Sequence, residues 1–235
     1  MATLIAVLGM HRSGTSATAG LLSEHGLELG PVSQKNKFNP RGNREIQQLN
    51  RLHDRILERS GGSWSSPPES IEIEDSDYRE RDEILSTIPG EVRGVKDPRM
   101  LIVPEFWRDL EPKPIGVLRN PVAVTSSLLR RAKDRPRRHP QLQAEEWERL
   151  WCHYNLALLA EYERAPFPMI DFDRHAELDA QARAALETHG IEPHGEGAFF
   201  EPDLVAGSAE KWRDRVIFPE TVALWERIAA LAAGL

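Results

Sequence analysis

Residues 4–8, Leu-Ile-Ala-Val-Leu, form an unbroken apolar run that ends at Gly9. A short run of this kind, bounded by glycine, reads as a parallel strand buried on both faces. Residues 9–16, Gly-Met-His-Arg-Ser-Gly-Thr-Ser, form a turn. A helical pattern then runs from about Thr15 to His25 with Ala17, Leu21 and Leu22 inward, and Gly26 stops it. Parallel strands need long crossovers, so this opening commits the chain to an α/β architecture. The remainder agrees. Strands are expected at 92–95, 114–118 and 167–171, and helices at 44–59, 76–86, 121–133, 143–165, 175–189 and 219–233. Asn120-Pro121 supplies an N-cap and a first helical proline. No internal repeat or low-complexity linker divides the chain. The expected fold is one three-layer α/β domain over residues 1–235, a mainly parallel sheet flanked by helices.

The first loop carries chemistry as well as shape. Gly9 and Gly14 allow its backbone N–H groups to converge on an anion, and the following helix adds its dipole and unpaired donors. Arg12 adds a permanent charge, and Ser13, Thr15 and Ser16 add hydroxyls. A plain βα turn would need the glycines but not the cation. The spacing matches the P-loop of nucleotide triphosphatases, GxxxxGK[ST], but Thr15 stands where that loop has its lysine. Triphosphate chemistry needs that charge and a magnesium anchor. The loop therefore suits one terminal anionic group better than a triphosphate.

Composition narrows the classes. The chain is 40% hydrophobic and 29% charged, enough to bury a core. Its formal net charge of −7 argues against a general nucleic-acid binder. The single cysteine, Cys152, excludes an intrachain disulfide and a Cys-rich zinc site, and the histidines lack metal-ligand spacing. The apolar run near the N-terminus is shorter than a signal core and has no basic leader, so a soluble cytoplasmic protein without a membrane span is expected.

The segment GMHRSGTS after a first strand resembles the 5′-phosphosulfate loop of sulfotransferases that use 3′-phosphoadenosine 5′-phosphosulfate (PAPS), in particular bacterial members with Arg in place of Lys at position 12. A second motif lies more than a hundred residues on. Arg119 follows a strand, where ligands bind in open α/β sheets, and Ser127 comes eight residues later. In the family an Arg and a Ser at this spacing hold the 3′-phosphate. The resemblance implies PAPS as co-substrate, with PAP as product. It places His11, Arg12, Ser13, Gly14, Thr15, Ser16, Arg119 and Ser127 around the nucleotide. Motifs carry it over residues 4–130.

Sulfuryl transfer needs a base for the acceptor proton and cations for the transferring and leaving groups. Glu45 is the first candidate base. It falls within the apolar stripe of Ile46, Leu49, Leu52 and Ile56, an unusual place for an idle carboxylate. Glu45-Ile46-Gln47 also resembles the segment bearing the catalytic glutamate in heparan-sulfate-type sulfotransferases. The plainer reading is a helix-start acid favoured by the dipole. Lys96 ends a strand and resembles the family lysine that contacts the sulfuryl group. Arg12 is the third catalytic candidate. Asp97 is the alternative base, or an ion-pair partner of Arg99 or Arg12. Pro98 stands where many cytosolic members have a catalytic histidine.

Other residues have plain readings. His53 is expected to be a satisfied packing residue, and Trp147, Trp151 and Tyr154 core. The basic run 130–139 is expected to be mainly a solvated helix end. Trp64 is a candidate for the acceptor wall, and Lys211 and Arg213 for a loop over the 3′-phosphate. The expected function is sulfuryl transfer from PAPS to a hydroxyl, with an amine less favoured, of a small-molecule or glycan acceptor. The alternatives are a P-loop kinase or ATPase, with Asp171 as its magnesium anchor, and a non-catalytic PAP-binding protein.

Overall fold

The protein is represented by a computed structural model, which describes residues 2–32, 42–137, 139–197, 199–200 and 212–233. Among these residues four parallel strands make one sheet: β1 (Thr3–Leu8), β2 (Val92–Lys96), β3 (Lys113–Leu118) and β4 (Met169–Asp171), in the order β2-β1-β3-β4. Successive residues of a strand face opposite sides. Ile5 and Val7 of β1 therefore join a core with Leu21, Leu22, Ile115 and Ile170. Ala6 and Leu8 join the other, with Leu52, Trp147 and Trp151. The first core is covered by α1 (Thr15–Glu24) and α6 (Leu178–Thr188). The second is covered by α2 (Gln47–Arg59), α3 (Asp75–Ser86), α4 (Pro121–Asp134), α5 (Ala144–Arg164) and α7 (Pro219–Ala232). These are the three layers expected.

The register brings the functional ends together. Val7 pairs with Lys96 and with Ile115, and Leu118 pairs with Asp171. The residues after β1, at the end of β2 and after β3 thus share the carboxyl edge of the sheet. The helix after β1 packs on one face and the helix after β3 on the other, so the chain parts between these neighbours. Ligands of open α/β sheets bind in such a crevice.

Two local differences from the sequence expectation matter. After β2 ends at Lys96, the chain winds into 3₁₀ turns at Pro98–Leu101 and Pro104–Leu110, which the sequence did not announce. Asp97 caps the first by accepting from Arg99 N–H at 3.0 Å. Short 3₁₀ turns carry no helical period to detect. The second helix begins at Gln47 rather than Arg44, because Ile46 is extended and bridges Val32. Glu45 therefore precedes the helix instead of lying in its first turn. Among the described residues no helix is long and apolar enough to cross a membrane.

Candidate functional site

The loop after β1 closes tightly. Ser13 N–H donates to Met10 O at 3.1 Å, and Gly14 O accepts from Ala17 N–H and Thr18 N–H. Gly14 has φ 91°, and a Cβ there would stand 2.2 Å from the Phe172 ring, so only glycine fits. Arg12 takes φ 71°, a left-handed conformation uncommon outside glycine. The first N–H groups of α1 have no intrahelical acceptor, and they open toward this loop. The Ser13 hydroxyl is buried without a hydrogen-bond partner among the described residues. The loop and the start of α1 thus present donors at the carboxyl edge of the sheet.

The second motif folds onto the first. Arg12 Nε donates to Ser127 Oγ at 2.9 Å, and Arg119 donates to Arg12 O at 3.2 Å. Burial pushes the Arg12 guanidinium down to about 10, with repulsion from Arg131, Arg119 and Arg130 adding to it. Burial lowers Arg119 as well. Guanidinium groups crowded in this way create a field that favours a bound anion. Arg119 stacks 5.2 Å from the Phe172 ring, and its Nε lies 3.8 Å from Asp173. Asp173 also accepts from Asn120 N–H at 2.7 Å and Asn120 Nδ2 at 3.0 Å, while Asn120 Oδ1 caps α4 through Ala123 N–H at 2.8 Å. Asp173 anchors this turn across the sheet edge, and nothing in its local sequence announced it.

A cavity of about 260 Å³ adjoins the loop, and its walls include His11, Arg12, Thr15, Ser16, Glu45 and Lys96. Lys96 Nζ donates to Glu45 Oε1 at 2.5 Å, and Asn50 Nδ2 donates to Glu45 Oε2 at 2.7 Å. Ser16 Oγ donates to Asn43 O at 2.9 Å, tying α1 to the segment that carries Glu45. The hydroxyl expected to serve the nucleotide thus also holds this segment. Burial drives His11 well below the usual imidazole value, with Arg99 adding to the effect, so its ring is neutral at pH 7. Its centroid lies 4.3 Å from Trp64. Tyr154 donates to the Trp64 carbonyl at 2.8 Å, so the loop bearing this tryptophan is anchored. Trp64 lines the cavity.

Asp97 is enclosed. It accepts from Arg99 at 3.0 Å and from His53 Nδ1 at 2.8 Å, while Trp107 Nε1 donates to His53 Nε2 at 3.1 Å. Both residues are buried, and the cavity wall includes neither. The ion-pair reading of Asp97 and the packing reading of His53 describe what is present. The basic run divides. Arg130, Lys133 and Arg137 are exposed, whereas Arg131 and His139 line the cavity. The spacing of Ser127 and Arg131, one helical turn apart, was the available signal. Arg213 is exposed beside Glu226 at 3.5 Å, and Lys211 lies outside the described residues. Asp171 is absent from the cavity wall, and its carboxylate accepts from Asp173 N–H at 2.9 Å. Among the described residues no group of three or more His, Cys, Asp or Glu is placed to hold a metal ion.

No protein-family model matches the chain, and no curated protein sequence matches it. Solved structures do. The sulfotransferase domain of the Synechococcus PCC 7002 olefin synthase aligns with a TM-score of 0.54 at 18% identity, over 97% of this chain and 94% of that one. A sulfotransferase from Alicyclobacillus acidocaldarius aligns with a TM-score of 0.56 at 19% identity, over 99% of this chain and 96% of that one. The chain has the α/β fold of sulfotransferase domains along almost its whole length.

Proposed function

We propose that residues 1–235 act as one PAPS-dependent sulfotransferase unit, transferring a sulfuryl group to a hydroxyl of a small-molecule or glycan acceptor. The observation that carries this reading is the convergence of Arg12, Arg119 and Ser127 at 2.9 and 3.2 Å on the carboxyl edge of the sheet. Two candidate anion-binding motifs more than a hundred positions apart in sequence meet at this edge, which supports the reading. The lack of a loop lysine at Thr15 favours this over a kinase.

In this reading the loop N–H groups, with Arg12, Ser13, Gly14, Thr15 and Ser16, hold the phosphosulfate, and His11 shapes the loop beside them. Arg119 and Ser127 hold the 3′-phosphate. Glu45 takes the proton of the acceptor hydroxyl as its oxygen bonds to sulfur. The bond from sulfur to the bridging phosphate oxygen breaks, and PAP leaves with that electron pair. Lys96 and Arg12 neutralise the charge that moves onto the leaving oxygen. Incubation with [³⁵S]PAPS and a panel of phenols, primary alcohols and sugars tests this. Label on an acceptor supports the reading. Transfer of phosphate from ATP, with none of sulfate from PAPS, overturns it.

A further inference from the structure

Asn50 has no duty in the reaction as described, yet its contacts are specific. It lies in the first turn of α2, and Nδ2 donates to Glu45 Oε2 at 2.7 Å. The orientation of its amide follows from chemistry, since only the NH₂ group can donate to a carboxylate. Lys96 Nζ occupies the other oxygen, Oε1, at 2.5 Å. A carboxylate bonded at one oxygen still turns about its last torsion, whose wells are broad. One bonded at both is fixed.

A second observation separates this contact from ordinary stabilisation. Asn50 Oδ1 is buried with no hydrogen-bond partner among the described residues. An orphaned buried acceptor destabilises the fold. With Ile46 as N-cap, Glu45 and Asn50 occupy the positions before and inside the helix that an apolar pair often bridges to set the chain's direction. Such a pair would do that work without an orphan. The polar pair carries that cost and in return holds a cavity-lining carboxylate at a set angle.

We propose that Asn50 is a positioning residue for Glu45. It fixes the carboxylate so that a lone pair not taken by Lys96 faces the cavity. This rests on the reading of Glu45 as the base. Among the described residues, the charged groups on the wall of that cavity are Lys96 from β2, Arg12 from the loop after β1, Arg99 from the turn after β2 and Arg131, which feels Glu45 from α4; His11 and His139 line it too, both lowered below the usual imidazole value by burial.

The test measures kcat, the PAPS KM, the pH profile and the melting temperature with [³⁵S]PAPS and the acceptor panel. Asn50→Ala should lower kcat by about ten- to a hundredfold and leave the PAPS KM within about twofold, as loss of orientation without loss of binding. Asn50→Gln keeps the amide and should recover part of that loss. Asn50→Asp places a second carboxylate against the first, and like charge should move the acid limb of kcat/KM upward by about one pH unit. A purely structural tie would lower the melting temperature of Asn50→Ala while kcat per folded molecule stayed normal and the acid limb of Asn50→Asp stayed in place. That result overturns the proposal and leaves sulfuryl transfer intact. If wild-type protein binds PAP but transfers no label, the reading of the reaction fails and this proposal fails with it.

Discussion

Lys96 and Glu45, 51 positions apart in sequence, form a partly buried ion pair at 2.5 Å on the wall of the cavity. The two groups assigned opposite duties in sulfuryl transfer therefore neutralise each other in the free protein. In the proposed reaction an arriving phosphosulfate would compete with Glu45 for Lys96, leaving Asn50 to hold the carboxylate. Glu45→Gln should thus have two effects of opposite sign. Turnover should fall by on the order of 10²–10⁴, because the amide cannot take a proton. PAP should bind about two- to tenfold more tightly, because a negative charge beside an anion site has gone and Lys96 is free. Calorimetric titration and single-turnover assays measure the two separately. Weaker PAP binding in this variant would show that the pair holds the site open instead of competing with the ligand.

PAP should raise the melting temperature in the absence of metal, and ATP with magnesium should raise it much less. Ligand that binds only the folded state stabilises it by about 2.7 kcal/mol at a hundredfold excess over Kd. Arg119 sharpens the test. Arg119→Ala should weaken PAP by about 2–4 kcal/mol, as expected for a charge-assisted contact in a partly closed site. Adenosine 5′-phosphosulfate lacks the 3′-phosphate and should lose only a few-fold, about 1 kcal/mol, from release of the Arg12 carbonyl that Arg119 holds. Equal losses for both nucleotides would remove Arg119 from the 3′-phosphate.

The local parts of this arrangement were legible in the sequence, and the long-range parts were not. The strand, glycine loop and helix at the start are set by period and turn chemistry within a few residues. The same holds for Asn120-Pro121, which caps α4 as its sequence implies. Glu45 was recognisable as inward, but its partner was not, since periodicity reports a face and never what lies opposite. Ile46 moved the helix start because a bridge to Val32 outweighs the helical pattern through Arg44. The basic run read as solvated because its composition is uniform. Only the packing of α4 separates Arg131, on the cavity wall, from exposed Arg130. Asp173 was invisible for the same reason: its role is defined by a turn 53 positions away.

Asp171, at the end of β4, should be a source of instability at neutral pH. Burial lifts its carboxyl to about 6, with the neighbouring charge of Asp173 contributing and the Asp173 N–H opposing. A folded-state value above the unfolded one means the native protein holds the proton more tightly. The penalty is absent below about pH 4, grows between about pH 4 and 6, and is complete above that. Asp171→Asn keeps an oxygen for Asp173 N–H and removes the charge. It should stabilise the protein by about 1–2 kcal/mol at pH 7, discounting for partial exposure, and by nothing near pH 4. Urea unfolding at the two pH values measures this. A loss of stability at pH 7 would mean that the ionised carboxylate is needed.

Asp97 presents the opposite case, and it separates a structural carboxylate from a catalytic one. Burial alone would raise its carboxyl, but Arg99 and His53 outweigh burial and hold it far below the usual range. The carboxylate is nearly inaccessible and bonded to both partners, so Asp97→Asn leaves the buried Arg99 guanidinium with Asp54, bonded at 2.6 Å, as its remaining counter-charge. Breaking a buried pair outright costs about 3–5 kcal/mol, and the retained Asp54 brings the expected loss to about 2–3 kcal/mol. The sign with pH follows from the depressed value: the contribution is present above the unfolded carboxyl pKa near 4 and fades as pH falls through it toward the folded value. The difference between wild type and Asp97→Asn should therefore be largest at pH 7 and shrink below about pH 4. Turnover per folded molecule should fall less than about tenfold, since the cavity wall does not include Asp97. Denaturant unfolding at pH 7, 5 and 3, with activity normalised to folded protein, gives both numbers. An Asp97→Asn protein of wild-type stability that transfers no sulfate, beside a Glu45→Gln protein that still does, would move the base from Glu45 to Asp97 and leave the nucleotide site where it is.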